Sequence, residues 1–466
     1  MNNLLNFIKV SVIYFFGFAL SKLISFFLLP FYTKFIETSD MGSFSYTQTV
    51  LNIILPITCV QIWAVILRFM YDGAEREYKN KVITNGLYIF IYSIILYSAV
   101  MFFWFFYSDA IYRTYVYLFG FSTILHYVYG NIARGLGQSK LYAVTGVIIS
   151  FVVAASSLVL ILVFKMELKA LYLSNIIAAF IQVIIIEYNI KLFHCFKRKY
   201  IDISIIKSML IFALPLSINE VVYWFLSGYN IMVITQYLGL AANGIYSIAT
   251  KFSVALLLVS NCFILAWQEL AYTSHSDTNR CSTYNYMLNY TAQLLLLCLI
   301  LLLPLINITF KYLVALNYRA SFEFIPLSLL STCGTIYAAF LADVFNAEKK
   351  SKNIMYSTIV AVITNIVLLH LLIDKNGIQA ANISLCAGIL TCIIIRSIML
   401  KKYFHEFKIN IKILLCYFIL FAIACKIFFL STTVNIIFLV MLLLILSYTY
   451  KKLICKILEQ LFRKIK

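Results

Sequence analysis

The chain has 466 residues; 63% are hydrophobic, 12% are charged, and 37 lysines and arginines face 18 acids. Soluble domains average about 45–50% apolar and about 25% charged residues, so a large water-soluble domain is excluded. The net charge of +19 suggests nucleic acid only if its distribution agrees, and it does not.

Fourteen apolar stretches run at 10–32, 44–69, 82–107, 112–133, 141–164, 170–191, 208–232, 241–270, 285–309, 322–346, 354–373, 378–400, 410–430 and 434–455. Each has the roughly 20 mostly apolar residues that a membrane-crossing helix needs. The connections between them are too short for a soluble domain. The first stretch is too long for a signal-peptide core and lacks a small-residue cleavage site, so it reads as a mature helix. The expected fold class is an all-α polytopic membrane protein with 14 transmembrane helices.

If the N-terminus is cytoplasmic and the sides alternate, 27 of the 37 basic residues fall inside, 7 outside and 3 (Lys22, Lys251, Lys426) within spans. That asymmetry is the positive-inside rule and places both termini in the cytoplasm. The eleven cysteines fall in spans or near the inner face, and none has metal-ligand or disulfide spacing. No cofactor is expected.

The halves repeat weakly. Phe35–Ser45 lies over Tyr237–Ser247, matching Gly42 with Gly244, and Ser139–Lys140 matches Ser351–Lys352. Six helices therefore repeat as six: an N-terminal lobe at 1–200, a C-terminal lobe at 201–407, and two further helices with a basic tail at 408–466. Because six is even, both copies start inside and are related by a pseudo-two-fold along the membrane normal. Transporters built this way bind cargo between the halves and rock one against the other.

Charges at membrane depth are costly and usually functional. Lys22 sits near the midplane of the first span, Glu220 at similar depth in the seventh and Lys251 well inside the eighth. Arg68 and Arg134 lie near inner ends, where snorkelling to headgroups is an equal explanation. Asp343 reads as interfacial, and Arg396 counts among the inner-side charges. Lys22 and Glu220 could pair across the lobes. The balance of charge at depth is basic, which suits an anionic group such as a phosphate. Tyr223, Trp224 and Trp267 could stack on sugar rings, although packing explains such aromatics as well.

Several of these segments resemble a known family. Leu23–Thr33 with Pro30, then Gly42-Ser43-Phe44 and Arg68-Phe69, resemble the opening of the polysaccharide transporter family. These are the O-antigen (Wzx-like) flippases of the multidrug/oligosaccharidyl-lipid/polysaccharide exporter superfamily. Phe212-Ala213-Leu214-Pro215, Ala242-Asn243-Gly244 through Lys251, Ala266-Trp267-Gln268-Glu269, Lys349-Lys350-Ser351-Lys352 and Asp374-Lys375-Asn376-Gly377 extend the resemblance over about residues 10 to 400. One departure stands out: members often carry an Asp-Arg pair where this chain has Tyr229-Asn230.

The resemblance implies a flippase in the bacterial plasma (inner) membrane. It would move undecaprenyl-pyrophosphate-linked oligosaccharide, an O-antigen or other surface polysaccharide repeat unit, from inner to outer leaflet. Lys22, Arg68, Arg134 and Lys251 would contact the headgroup, and Glu220 would pair or couple. The partners implied are the lipid-linked oligosaccharide, membrane lipids and other polysaccharide assembly proteins. A drug or cation exporter of the same superfamily is the alternative. An enzyme of glycan assembly would need a sizeable outer loop with catalytic residues, and the predicted outer loops are short.

Overall fold

The computed structural model describes residues 23–449 apart from 25, 74, 108–111, 274–279, 349, 405 and 409. The described residues form helices and connectors and no strand. In lipid a helix satisfies its own backbone hydrogen bonds, and the protein is an all-α polytopic membrane protein. Among the described residues eight helices are long and apolar enough to cross a bilayer, or nine if one bent pair is a single span. The first predicted stretch, with Lys22, lies mostly outside the described residues.

The first unit comprises Met1–Lys251 and Thr358–Gly388. It holds α1 (Leu29–Phe35), α2 (Thr38–Cys59), α3 (Ile62–Met70), α4 (Arg76–Tyr107), α5 (Arg113–Gly135), α6 (Ser139–Leu162), α7 (Glu167–Ile190) and α8 (Ile203–Lys251). The predicted 44–69 helix is in fact two. Val60 and Gln61 adopt left-handed φ values of 40° and 55°, and α2 and α3 meet at a 54° bend. A β-branched residue there is a conformational outlier. Conversely, α8 merges two predicted spans across one glycine, Gly239, at φ 86° and ψ 173°. A residue with a Cβ would pay for that conformation.

The repeat appears as a reciprocal contact within this unit. A methyl group on Gly42 would lie 1.8 Å from the Leu240 carbonyl oxygen, and one on Gly244 would lie 1.9 Å from the Thr38 carbonyl oxygen. Thr38 and Leu240, like Gly42 and Gly244, are 202 positions apart. If 42 meets 240 and 38 meets 244, the contact has the reciprocity a two-fold axis requires. Asn243 Nδ2 also donates to the Gly42 carbonyl at 2.9 Å. Glycine is needed here because the backbones of α2 and α8 touch.

A second repeated device lies at the other end. In the first unit Asn85 on α4 donates to the Tyr200 carbonyl (2.9 Å) and accepts from the Asp202 amide (2.8 Å). Asp202 in turn caps α8 by accepting from Ser204 N at 2.8 Å. The second unit comprises Phe252–Ser357 and Ile389–Lys466. It holds α9 (Val254–Thr273), α10 (Arg280–Leu313), α11 (Ile325–Ala347), and, beyond the α12 (Ser351–Asn376) and α13 (Gln379–Tyr403) hairpin whose tip joins the first unit, α14 (Ile411–Phe428) and α15 (Thr432–Thr449). There Asn289 on α10 donates to the Lys408 carbonyl (2.9 Å) and accepts from the Asn410 amide (2.7 Å), and Asn410 caps α14. Asn285, one turn earlier, makes the same pair of bonds to Glu406 and Lys408. Four helical residues rise about 6 Å and two extended residues about 6.6 Å, so successive asparagines keep step with the connector.

Two charges read as near the inner face are buried in the second unit. Arg396 is 2% exposed; its Nε donates to Ser357 Oγ at 2.9 Å and a terminal nitrogen donates to the Ala338 carbonyl. Asp343 is 5% exposed. Both side chains face the packed interior of their bundle, which counting along the chain cannot distinguish from an interfacial position. Nearby, Trp267 donates to the Phe340 carbonyl at 3.0 Å and stacks on that ring.

Candidate functional site

A polar cavity of about 560 Å³ lies among α2, α3, α5 and α8 of the first unit. From α8 come Glu220, Tyr223, Trp224, Ser227, Gly228 and Ile231. Their spacing of i, i+3, i+4, i+7, i+8 and i+11 is one face of a helix. From α2 come Thr49, Asn52 and Pro56. Proline has no N–H, so Pro56 cannot donate to the Asn52 carbonyl one turn back. The left-handed pair at Val60 and Gln61 turns the chain, and Gln61 and Trp63 also reach the cavity.

The aromatic wall is fixed by contacts. Trp224 Nε1 donates to the Thr49 carbonyl at 2.7 Å. Trp63 packs on Tyr127 with centroids 5.1 Å apart. A buried indole needs a partner for its N–H, and this one is spent on backbone, leaving the ring face as the lining. The wall offers flat apolar faces, neutral hydrogen-bonding groups and, among the described lining residues, one charge: the Glu220 carboxylate.

The other predicted site residues lie elsewhere. Arg68 is exposed and pairs with Asp72, a surface contact of small energetic value. Arg134 donates to Asn131 Oδ1 at 3.3 Å and lies over the Tyr142 ring at 5.3 Å. Gly135, next to Arg134, packs closely on α3, since a methyl there would lie 2.5 Å from Met70 Sδ. Lys251 is half-buried, its ammonium 5.3 Å from the Tyr32 ring centroid and 3.9 Å from Met41 Sδ. Lys22 falls outside the described residues. The structure thus brings Glu220 together with Tyr223, Trp224 and Ser227, and leaves Arg68, Arg134 and Lys251 outside that lining. Asn52, Gln61, Trp63 and Tyr127 were missed. The signal for Asn52 was its place one turn beyond Thr49 on the same face of α2; Gln61 gave none, because the break that presents it has no glycine.

At Tyr229 and Asn230 the side chains form a neutral network. Asn230 and Asn365 are fully buried and exchange amide bonds (2.8 and 3.4 Å), and Asn230 also donates to the Ala381 carbonyl at 2.9 Å. Tyr229 shares a hydrogen bond with His370 Nε2 at 2.8 Å.

The second unit has its own cavity, about 460 Å³, lined by side chains such as Leu295, Cys333, Tyr337, Ile394, Leu415 and Phe418. Its character is apolar throughout. No group of three or more metal-ligating side chains occurs among the described residues.

No family model matches this sequence, and no curated protein matches it by sequence. Solved structures do share its fold. The lipid II flippase MurJ in an inward closed conformation superposes with a TM-score of 0.66 at 16% identity, covering 96% of this chain and 100% of that one. An inward-facing multidrug resistance MATE family transporter of the MOP superfamily gives 0.63 at 12% identity over 89% and 96%. A MOP superfamily transporter from Pyrococcus furiosus, described as having a binding pocket of reverse polarity, gives 0.52 at 14% identity over 84% and 93%. The chain therefore has the fold of the MurJ and MATE transporters.

Proposed function

We infer that this protein is a flippase that carries a lipid-linked oligosaccharide from the inner to the outer leaflet of the bacterial plasma membrane by alternating access. The observation that carries the reading is the cavity built from helices of both sequence halves, α2, α3 and α5 with α8, beside a two-fold glycine crossing. A cavity shared between halves can open to either side as they rock. Its aromatic faces and neutral polar groups suit sugar rings and hydroxyls, and the separate apolar cavity of the second unit suits a prenyl tail. The fold match to a protein described as a lipid II flippase agrees with a lipid-linked cargo. An undecaprenyl-pyrophosphate-linked repeat unit of a surface polysaccharide, such as an O-antigen, fits these features. Lys22, Arg68, Arg134, Glu220 and Lys251 are its proposed contacts. The lobes 1–200 and 201–407 would be the moving parts, with 408–466 alongside. Both termini would be cytoplasmic, and no chemistry is performed on the cargo. Membrane lipids and other assembly proteins of the polysaccharide would be its neighbours.

The test is depletion of the protein in its own host. Lipid-linked oligosaccharide should accumulate in the inner leaflet while surface glycan falls. Unchanged surface glycan would exclude the reading.

One observation favours a second reading, export of an organic cation. The described cavity lining has a carboxylate and aromatic faces and no basic side chain, a combination that attracts cations, and MATE transporters share the fold. Uptake of a fluorescent cation such as ethidium into proteoliposomes, abolished by Glu220→Gln, would support it.

A further inference from the structure

At the start of α10 the second unit holds a polar pocket of about 400 Å³, lined by Asn285, Tyr286, Asn289, Tyr290 and Gln293 with Asn410. That volume is within the range of about 300–1,000 Å³ typical of small-molecule sites. Asn285, Asn289 and Gln293 recur every four residues on one face of the helix. Each asparagine spends its amide on the extended connector before α14, donating to one carbonyl and accepting from the N–H two residues on. Gln293 would be the third rung, but α14 begins at Ile411 and offers no extended strand to it. Among the described residues its amide has no hydrogen-bond partner. Beside this ladder Tyr286 and Tyr290 are 68% and 45% exposed, with rings 11° from parallel and centroids 6.2 Å apart.

The first unit shows the same face in a purely packing role. Asn85 and Asn289 make the same pair of connector bonds and are 204 positions apart. At that offset Tyr286, Tyr290 and Gln293 fall on Val82, Gly86 and Ile89. Val82 and Ile89 are buried, and α3 closes on Gly86, where a methyl would lie 2.4 Å from Ile66. The second unit has two exposed phenols and a free amide in their place, which core packing does not require. An interfacial aromatic belt accounts for the tyrosines but not for the unspent amide.

We propose that this pocket is a second glycan site, separate from the Glu220 cavity and selective for a neutral glycan that carries an acetamido sugar. The flippase reading supplies the source of that glycan, the lipid-linked cargo, and Lys401, Lys402, Lys408 and Lys412 mark this end of the unit as the inner side. The phenol rings offer flat faces to the apolar face of a sugar ring while their hydroxyls stay wet. The Gln293 amide donates to the acetamido carbonyl and accepts from its N–H, the paired bonds that Asn289 makes with the connector backbone. A sugar with a hydroxyl in place of the acetamido group cannot satisfy both ends of that amide. The described lining carries no charged side chain, so neither a uronic acid nor an amino sugar gains a charge-assisted bond there.

The test uses the purified full chain in detergent and saturation-transfer NMR. Three soluble probes are titrated: chitotriose, cellotriose, which has hydroxyls in place of the acetamido groups, and dihexanoylphosphatidylglycerol. The parent should bind chitotriose about tenfold more tightly than cellotriose, the worth of one paired amide contact, with the strongest transfer to the acetyl methyl protons. Gln293→Ala, and Gln293→Leu, which keeps the bulk, should abolish that preference. Tyr286→Ala combined with Tyr290→Ala should weaken both glycans. Trp224→Ala, in the cavity of the first unit, should leave the preference unchanged. The proposal is overturned if the parent binds the two glycans equally, if both Gln293 variants keep the preference, or if Trp224→Ala abolishes it. Binding of the phospholipid alone would make this face a belt for lipid headgroups and overturn it as well. The flippase reading fails separately: the acetamido preference with no movement of the host's lipid-linked oligosaccharide in vesicles would remove that reading and leave the site, and movement with no preference would remove the site alone.

Discussion

Replacing Gly42 with alanine should force apart the crossing of α2 and α8. The added methyl carbon would lie 1.8 Å from the Leu240 carbonyl oxygen, and real Cβ contacts essentially never fall below 3.0 Å, so the backbones must separate by about 1.2 Å. The obstructing atom is backbone and cannot swing aside. Overpacking of this kind costs about 1–3 kcal/mol. Separation also stretches the 2.9 Å bond from Asn243 to the Gly42 carbonyl, worth about 1 kcal/mol. A total of about 2–4 kcal/mol against the crossed state would shift a two-state equilibrium roughly 30- to 700-fold. The assay is double electron–electron resonance between spin labels on unnatural amino acids at positions 34 and 236, both exposed in this unit. Gly42→Ala should lengthen and broaden the distance distribution, and Gly244→Ala should do the same, because the contact is reciprocal. Distributions identical to the parent in both variants, with cargo transport intact, would refute the reasoning.

Three further outcomes are expected. Asn289→Ala removes two bonds to the connector before α14, and Asn85→Ala removes two before α8; each should cost about 2–4 kcal/mol, read as a lower midpoint of thermal unfolding in detergent, whereas the exposed Asn189, which bonds only its own helix, should change little as Asn189→Ala. Arg396→Ala should destabilise the second unit by about 2–4 kcal/mol, the loss of its charge-assisted hydrogen bonds, and Arg396→Lys should not restore it, since an ammonium lacks the fork that reaches both Ser357 and the Ala338 carbonyl; recovery with lysine would show that only charge matters. Trp224→Ala should reduce cargo affinity by roughly tenfold, the loss of one stacking face, as measured by quenching of the remaining tryptophans.

Much of the architecture was legible because helical spans declare themselves by length and apolarity. The cavity face of α8 could be read in advance as well, since Glu220, Tyr223, Trp224, Ser227 and Gly228 fall on one helical stripe. The match of Gly42 with Gly244 pointed to the two-fold before the crossing of α2 and α8 was seen. Other features depend on contacts between distant residues. The break at Val60–Gln61 has no glycine to announce it, and Pro56, the one local signal, sits a turn earlier. The paired roles of Asn85 and Asn289 become visible only when the connectors at 200–202 and 408–410 lie beside them. Arg396 looked like one of many inner-side charges until its bonds to Ser357 and Ala338 placed it in the interior. The sign of the cavity was also hidden. Counting charges at depth suggests a basic chamber, yet the described lining carries Glu220, because which face of its helix a lysine or arginine occupies is set by packing.

The most direct measurement is flipping by the purified chain in proteoliposomes. The cargo would be the host's lipid-linked oligosaccharide carrying a fluorescent glycan label, followed by its accessibility to a membrane-impermeant quencher. The parent chain should make labelled glycan in the inner leaflet accessible within the assay, and Gly42→Ala and Glu220→Gln should slow this at least tenfold. Equal rates in protein-free vesicles, or a parent chain that exports ethidium but never moves the glycolipid, would contradict the account.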